Sequence, residues 1–226
     1  MGPEAHRFAD AWYLFATFHA AGALRASHIL RADAVQGPYE PWSDGPITPP
    51  GWQCLDATLF VAEDGTPWTV FCHEWQQVHD GGMWAMPLTP DLRRAAGRPV
   101  WLFNASEAPW TRPLALPPHK ARPFDVHVTD GPFLHRTASG ALLMLWSSFT
   151  DAGYAMGVAR SASGEIVGPW EHEPEPLIDG GCGHGMVFRD LDGALRATYH
   201  TPNDTPNERL VIRTLLEDGD RLRLAD

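Results

Sequence analysis

The sequence predicts an all-β fold, a β-propeller with about four blades of four short strands each. A turn signal followed by an apolar or aromatic run recurs four times, within residues 10–16, 64–71, 139–146 and 192–199. A second hairpin pattern, in which an arginine precedes Gly-Pro-aromatic-Glu, runs from Arg31 to Glu40 and again from Arg160 to Glu171. The 21 glycines and 21 prolines in the 226-residue chain argue against long helices.

Each repeated element has a local reason to form a hairpin. The first begins at Asp10 and continues as an aromatic-rich run. The second and fourth begin with Asp-Gly and the third with Ser-Gly, and such pairs before apolar, β-branched or aromatic runs favour tight turns between strands. From Arg31 to Arg160 is 160 − 31 = 129 positions, which corresponds to two units of about 65 residues. The one helical candidate, residues 91–98, is interpreted as a turn.

A β-sandwich is the alternative fold, because its hairpins carry the same turn signals. The propeller is favoured because the order of turn and strand repeats in register along the chain. We predict that residues 1–226 form a single propeller domain.

Composition narrows the possible partners. The net charge of 17 − 28 = −11 disfavours nucleic acid and anionic membranes and suits a neutral substrate. No apolar stretch reaches 18 residues, and residues 1–7 lack the apolar stretch of a secretory signal. Three cysteines without a Cys-x-x-Cys spacing predict reduced thiols and a cytoplasmic protein. A zinc site that joins these cysteines with His184 is an alternative that neither their number nor their spacing supports.

Two aspartates are candidate catalytic residues. Asp56 and Asp130 each lie just before an apolar run, at the start of a predicted unit. Units that begin with an acid can bring two carboxylates to one cleft, which is the minimum for acid–base cleavage of a glycosidic bond. Asp44 has similar neighbours, Ser-Asp-Gly-Pro, but it follows a connection, so we interpret it as a turn residue. A turn role is also the alternative for Asp130.

Five short motifs occur in a defined order along nearly the whole chain. They are Gly-Pro-Glu-Ala-His at 2–6, Asp56 with Glu-Asp-Gly at 63–65, Asp-Gly-Pro at 130–132, Gly-His-Gly-Met at 183–186, and Tyr-His at 199–200 followed by Arg209. This ordered set resembles glycoside hydrolase family 43, whose members are five-bladed β-propellers that cleave arabinosides and xylosides with inversion. The resemblance implies a five-bladed-type propeller with about four blades present in this chain.

The resemblance also implies roles for these positions. Asp130 corresponds to the general acid, although the family commonly has Glu there, and Asp56 corresponds to the acid that raises its pKa. His184 corresponds to an imidazole that points down the central channel near a bound ion or water, and calcium is the family expectation for the ion. His200 and Arg209 correspond to cleft-facing residues that bind substrate. The family's first blade, with its Asp-Pro general base, has no counterpart.

Three further substrate-binding candidates lie after a predicted strand. Trp75 can stack on a sugar face, Glu74 can accept hydrogen bonds from hydroxyls, and His73 precedes them. Core packing is the alternative for Trp75, because ten tryptophans cannot all line a cleft. A surface ion pair with Glu208 is the alternative for Arg209.

The sequence therefore predicts an inverting glycosidase for arabinose- or xylose-containing glycosides, impaired by the absence of the general-base blade. A non-catalytic carbohydrate-binding propeller is the first alternative. A structural propeller is the second, and self-association through the open edge of an unclosed ring is expected for it.

Overall fold

The structure is a computed structural model that describes residues 2–225, and its strands form four sheets. The first sheet contains β1 (Glu4–Phe8), β2 (Ala11–Phe18), β3 (Ala26–Ala32) and β4 (Glu40–Pro41). The second contains β5 (Cys54–Val61), β6 (Pro67–His73), β7 (Gly82–Pro87) and β8 (Val100–Asn104). The third contains β9 (Asp130–Arg136), β10 (Leu142–Thr150), β11 (Gly153–Ser161) and β12 (Trp170–His172). The fourth contains β13 (Gly183–Arg189), β14 (Leu195–Thr201), β15 (Arg209–Asp218) and β16 (Arg221–Leu224).

Each sheet is an antiparallel meander in which strands adjacent in sequence are adjacent in space. The first strands contact one another from sheet to sheet: β1 contacts β5, β5 contacts β9, and β9 contacts β13. Four separate sheets that meet along their first strands are the blades of a propeller. The predicted all-β propeller with about four blades is therefore confirmed, and the β-sandwich is rejected.

The sequence repeats correspond to equivalent strands. The four turn-then-strand segments lead into β2, β6, β10 and β14, which are the second strands of their sheets. Arg31 pairs with Glu40 between β3 and β4, and Arg160 pairs with Glu171 between β11 and β12. Both of these hairpins join the third and fourth strands of their sheets, so the spacing of 129 residues spans two blades.

The β5–β6 turn shows why these pairs of residues make hairpins. The carboxylate of Asp64 accepts a hydrogen bond from the backbone N–H of Thr66 at 2.8 Å. Gly65 adopts a φ of 83°, in the left-handed region that favours glycine. The Asp-Gly pair therefore supplies both the hydrogen-bond acceptor and the backbone freedom that the turn requires.

Helical structure in residues 2–225 is limited to α1 (Trp75–Val78) and two 3-10 segments, Ala105–Glu107 and Pro118–Lys120. The predicted turn at residues 91–98 is present, and Leu88 and Ala95 bridge it. A four-residue helix is too short to give a periodic signal, which is why α1 was not predicted. None of the described helices has the length and apolar character that a membrane span requires.

Apolar clusters fill the spaces between successive sheets. The largest contributions come from aromatic and long aliphatic side chains, each worth about 1.5–3 kcal/mol when fully buried. They include Phe15 and Phe71 between the first two sheets, Trp146 and Phe103 between the second and third, and Leu145 and Met156 between the third and fourth. On the far side of the fourth sheet, Leu210 and Ile212 are 72% and 54% exposed. The packed sheets hold the starts of β5, β9 and β13 close together.

Candidate active site

A cavity of about 470 Å³ opens at the start of the first strands of the second, third and fourth sheets. Asp56 on β5, Asp130 on β9 and His184 on β13 all line it. Its wall also includes Tyr154, His200 and Glu208. Residues far apart in the chain therefore meet here because each strand begins at the same mouth of the propeller.

The same backbone irregularity positions the side chains of all three strands. In β5, β9 and β13 the pairing with the next strand slips, between Leu55 and Thr58, between Asp130 and Phe133, and between Gly183 and Met186. The residue that opens each bulge has a left-handed backbone, with φ of 54° at Asp56, 48° at Gly131 and 52° at His184. Bulges bend a strand and re-aim its side chains. Asp56 and His184 thus occupy corresponding positions in two blades, and Asp130 lies one residue earlier.

Glycines make room for this arrangement. At Gly131 a Cβ atom would lie 2.8 Å from the ring of His184. At Gly183 a Cβ atom would lie 2.8 Å from the ring of Tyr154. Both distances are shorter than a van der Waals contact, so neither position accepts a side chain without displacing a residue of the cavity wall.

Asp56 is 5% exposed and is held by its surroundings. The backbone N–H of Gly2 donates to its Oδ1 at 3.2 Å, and its own backbone N–H donates to the hydroxyl of Thr17 at 3.0 Å. Nδ1 of His184 lies 3.9 Å from Oδ2 of Asp56. These contacts fix a carboxylate beside the imidazole.

Asp130 has a raised pKa in this cavity. Burial raises its pKa from 3.8 to about 7, and the negative charge of Asp56 adds to the increase. His184 opposes the increase, as does the hydroxyl of Tyr154, which donates to Oδ2 of Asp130 at 3.1 Å. Asp130 therefore holds its proton near neutral pH, where an ordinary aspartate is ionised.

Two histidines complete this wall. The backbone N–H of His184 donates to the hydroxyl of Ser147 at 2.8 Å, while its ring atom Nε2 is buried without a hydrogen-bond partner within residues 2–225. The ring of His200 stacks on Tyr154, with centroids 5.7 Å apart, and its Nε2 lies 3.0 Å from the side-chain oxygen of Asn203. His200 therefore supports the tyrosine that contacts Asp130.

His184 by itself does not make a calcium site. Calcium takes six to eight oxygen ligands, and the unpartnered atom of His184 is a nitrogen. Nowhere between residues 2 and 225 do three or more His, Cys, Asp or Glu side chains form a group that could hold a metal. The same finding leaves the zinc alternative without support, and Cys54, Cys72 and Cys182 are free, buried thiols. The axial calcium ion stays a prediction.

The other predicted substrate-binding residues lie outside this cavity. His73 stacks on Trp52 with centroids 4.3 Å apart, and the buried carboxylate of Glu74 pairs with Arg25. Trp75 lines a separate cavity. Arg209 is exposed and donates to the backbone carbonyls of residues 206 and 208.

The structure therefore gathers Asp56, Asp130, His184 and His200 at one cavity and leaves the other four candidates elsewhere. Asp44, interpreted as a turn residue, lies outside the cavity and pairs with Arg93 at 3.2 Å.

Tyr154 and Glu208 are among the residues of the cavity wall that sequence reasoning missed. Tyr154 is the second residue of β11, and its partner Asp130 lies 24 positions earlier, so no local pattern links them. The sequence predicts Glu208 only as a possible partner of Arg209, but Glu208 lines the cavity and Arg209 does not. The hydroxyl of Thr205, which donates to Glu208, lowers the pKa of that carboxyl.

Comparison with known proteins places this geometry in a family context. The family model described as Glycosyl hydrolases family 43 matches residues 1–218. Among solved structures, the chain is similar to an endo-arabinase from Bacteroides thetaiotaomicron VPI-5482, with 43% sequence identity and a TM-score of 0.89. That match covers 97% of this chain and 76% of the endo-arabinase chain.

More distant structures share the fold. A thermostable family-43 glycoside hydrolase is 20% identical, with a TM-score of 0.80, over 99% of this chain and 74% of that one. An endo-1,4-beta-xylanase from Bacteroides thetaiotaomicron VPI-5482 is 22% identical, with a TM-score of 0.76 and the same coverage of 99% and 74%. No curated protein matches the chain.

Proposed function

Since the chain belongs to glycosyl hydrolases family 43 and is a glycosidase of that family, we propose that it hydrolyses arabinose- or xylose-containing oligosaccharides by inverting acid–base catalysis. The relative that is 43% identical is described as an endo-arabinase, which favours arabinose-containing substrates. The xylanase at 22% identity supports the fold and carries no weight for the substrate.

The meeting of Asp130 and Asp56 at one cavity, together with the raised pKa of Asp130, carries the proposal. A general acid must hold a proton when substrate arrives and release it to the leaving oxygen, so its pKa should lie near the working pH. Burial and the neighbouring charge of Asp56 bring the pKa of Asp130 to about 7. Tyr154 occupies Oδ2, so Oδ1 is the oxygen left to present a proton to the cavity.

Asp56 acts on the reaction through Asp130. Two negative charges in one low-dielectric site resist joint ionisation, so an ionised Asp56 keeps the proton on Asp130. As bond cleavage begins, positive charge develops on the sugar ring, and the carboxylate of Asp56 stabilises that charge electrostatically. Asp56 thus keeps Asp130 protonated and stabilises the positive charge on the sugar ring.

Inversion also needs a base that activates water on the opposite face of the sugar. Glu208 is the third carboxylate on the cavity wall, and its hydrogen bond from Thr205 lowers its pKa. A carboxylate with a lowered pKa accepts a proton weakly. We therefore infer that this chain by itself turns over slowly.

The proposal is tested by hydrolysis of aryl arabinofuranoside and aryl xyloside with the purified chain. We expect slow turnover that Asp130→Asn abolishes and that Glu208→Gln reduces less. Asp44→Asn is the matched control, because Asp44 has similar neighbours in sequence but lies outside the cavity. Unchanged turnover in Asp130→Asn would reject Asp130 as the acid. Oligosaccharide binding without any turnover would favour the carbohydrate-binding propeller.

Two further proposals concern the surroundings of the enzyme. Self-association is supported by Leu210 and Ile212, which are exposed on the face of the fourth sheet that is turned away from the third sheet. A cytoplasmic location is supported by the three free thiols, since reducing compartments keep cysteines unpaired.

A further inference from the structure

A second cavity lies outside the candidate active site. It has a volume of about 850 Å³ and lies between α1 and the loop of residues 114–124. Trp75 and Gln76 line it on the α1 side. Lys120, Arg122 and Phe124 line it on the loop side. Nothing in the proposed mechanism uses this cavity.

The loop that forms this second cavity begins and ends at the wall of the first. The backbone N–H of Arg112 donates to the carbonyl of Phe149 at 2.7 Å, and Phe149 lines the active-site cavity. The loop then closes on itself, with the N–H of Leu114 donating to the carbonyl of Val126 at 2.8 Å. Four residues later the chain reaches Asp130.

Chain geometry limits the distance between the two cavities. Phe124 lies in the second cavity and Asp130 in the first, six residues further along the chain. Even a fully extended segment of six residues spans only about 20 Å. The two cavities therefore lie within the length of an oligosaccharide of a few sugar units of each other.

Two aromatic side chains give the second cavity surfaces suited to sugars. Trp75 is half-buried, and Phe124 is 42% exposed with its ring packed on His79 at 3.9 Å between centroids. Aromatic rings that are only partly covered offer an apolar face for stacking. Trp75, predicted to stack on a sugar, therefore lies where it could do so in the second cavity and not in the active-site cavity.

Charge distinguishes this cavity from the rest of the chain. The protein has a net charge of −11 and a single lysine, and that lysine is Lys120. His119, Lys120 and Arg122 all line the cavity. None of the three forms an ion pair within residues 2–225. Asp125, the acid on the same loop, is exposed and is not part of the lining.

An unpaired lysine and an unpaired arginine on one wall of a cavity attract an anionic ligand, and both side chains form strong charge-assisted hydrogen bonds with carboxylates. Aromatic stacking faces beside them favour a ligand that is also a sugar. We propose that the second cavity binds a sugar that carries a carboxylate, a uronic acid unit of the same oligosaccharide that enters the active site. This inference rests on the proposed function, because it makes the cavity a subsite for that substrate.

Binding measured by calorimetry tests the inference. All measurements use the Asp130→Asn background, so that cleavage does not consume the ligand. The probes are a neutral arabino-oligosaccharide and an oligosaccharide of equal length that carries one uronic acid. We expect the acidic probe to bind about tenfold more tightly, which corresponds to about 1.4 kcal/mol. We also expect this preference to weaken as salt is added.

The double substitution Lys120→Ala with Arg122→Ala should remove the preference and leave the affinity for the neutral probe within about twofold, since neutral sugars gain little from these charges. Arg7→Ala with Arg98→Ala is the matched control, because it removes the same charge from exposed arginines outside the cavity. Equal affinity for both probes, or a preference that survives in the Lys120 and Arg122 variant, would overturn the inference and leave the proposed function standing. If neither probe binds, both the inference and the proposed substrate class fail.

Discussion

The hydroxyl of Tyr154 donates a hydrogen bond to Oδ2 of Asp130 at 3.1 Å. Burial raises the pKa of that hydroxyl well above its ordinary value of 10.0, so Tyr154 stays a donor throughout the working pH range. His200 stacks on the tyrosine ring and holds it in place. The acid is thus held through one oxygen, which leaves its second oxygen to donate the proton.

Tyr154→Phe should raise the pKa of Asp130 further, because it removes a hydrogen bond that favours the ionised carboxylate. Titration of the aspartate carboxyl carbons by NMR measures it directly, without any dependence on turnover. In an activity profile, the fall in rate at high pH should move to higher pH by the same amount.

Tyr13→Phe provides the matched control for this experiment. Tyr13 is buried in the first sheet, and its hydroxyl has no hydrogen-bond partner in the part of the chain that the structure describes. A merely structural loss of a hydroxyl would affect both variants alike. An unchanged carboxyl titration in Tyr154→Phe would show that the tyrosine does not position the acid.

Asp130→Asn should make the protein more stable at alkaline pH. The folded state holds the Asp130 proton up to a pKa of about 7, whereas the unfolded chain releases it near 3.8. The unfolded state therefore binds fewer protons between these values, and the stability of the wild type falls as pH rises from about 4 to 7. Asparagine does not titrate, so denaturant unfolding at pH 8 should show a gain of roughly 1–3 kcal/mol.

This gain should disappear at pH 4, where Asp130 is protonated in the folded state. Equal stability of the two proteins at pH 8 would mean that Asp130 is ionised at little cost and is not the poised acid.

The repeats and the cavity differ in how far the sequence could predict them. The hairpin from Arg160 to Glu171 was predictable because turn-forming residues act locally, and because the same residue pattern forms the hairpin from Arg31 to Glu40 in the first sheet. The meeting of Asp56 and Asp130 was predictable once successive blades were placed around an axis. The contact between Tyr154 and Asp130 was not, since it depends on a bulge that shifts the register by one residue.

The misplaced substrate-binding candidates have a similar cause. Strand β6 is buried on both faces near its end, so its sequence has no alternation that tells which way His73 points. Glu74 pairs with Arg25, which lies 49 positions earlier on another sheet's connection. Packing between sheets therefore decides where the side chains of His73 and Glu74 lie, and no local sequence pattern predicts that packing.

Gly131→Ala should disturb the active site more than an ordinary glycine substitution does. Alanine at a left-handed φ costs about 1–2 kcal/mol wherever it occurs. At Gly131 the new methyl group would also lie 2.8 Å from the ring of His184, and such overpacking adds about 1–3 kcal/mol. Thermal unfolding and the histidine ring signals in NMR spectra measure the two effects.

Gly65→Ala separates the backbone cost from the clash. Gly65 has a φ of 83°, and nothing lies within 4 Å of a Cβ placed there. Similar losses of stability in both variants, with an unmoved His184 signal, would show that the space beside Gly131 has no role in positioning the imidazole.

His172→Phe should protect the protein against acid. The imidazole packs edge-on against Phe103 at 4.6 Å and lies 5.5 Å from Trp146, and neither ring nitrogen has a hydrogen-bond partner among the described residues. Burial lowers its pKa from 6.5 to about 4. As pH falls through this window the unfolded chain binds a proton that the folded state refuses, so the wild type loses roughly 1–3 kcal/mol.

Phenylalanine keeps the ring and does not titrate. Unfolding curves at pH 7 and pH 4.5 should therefore show a gain in relative stability for His172→Phe at the lower pH. Parallel curves at both pH values would show that His172 is solvated or paired when protonated.

The last prediction concerns self-association through the face of the fourth sheet that is turned away from the third sheet. Leu210 and Ile212 lie on β15 opposite His200 and Thr198 of β14, and they are 72% and 54% exposed. Sheets in this fold are covered by their neighbours, so adjacent exposed apolar side chains mark a surface that gains free energy when covered. We expect a concentration-dependent dimer in sedimentation that Ile212→Glu weakens at least tenfold, because dimerisation would bury a charge.

Leu191→Glu is the control for this surface. Leu191 is fully exposed in the turn between β13 and β14, away from the face of β15, so the same charge placed there should leave the dimer unchanged. A monomer at every concentration would mean that a few exposed side chains do not suffice for association. A dimer that both glutamates weaken equally would point to net charge, rather than to this face, as the determinant.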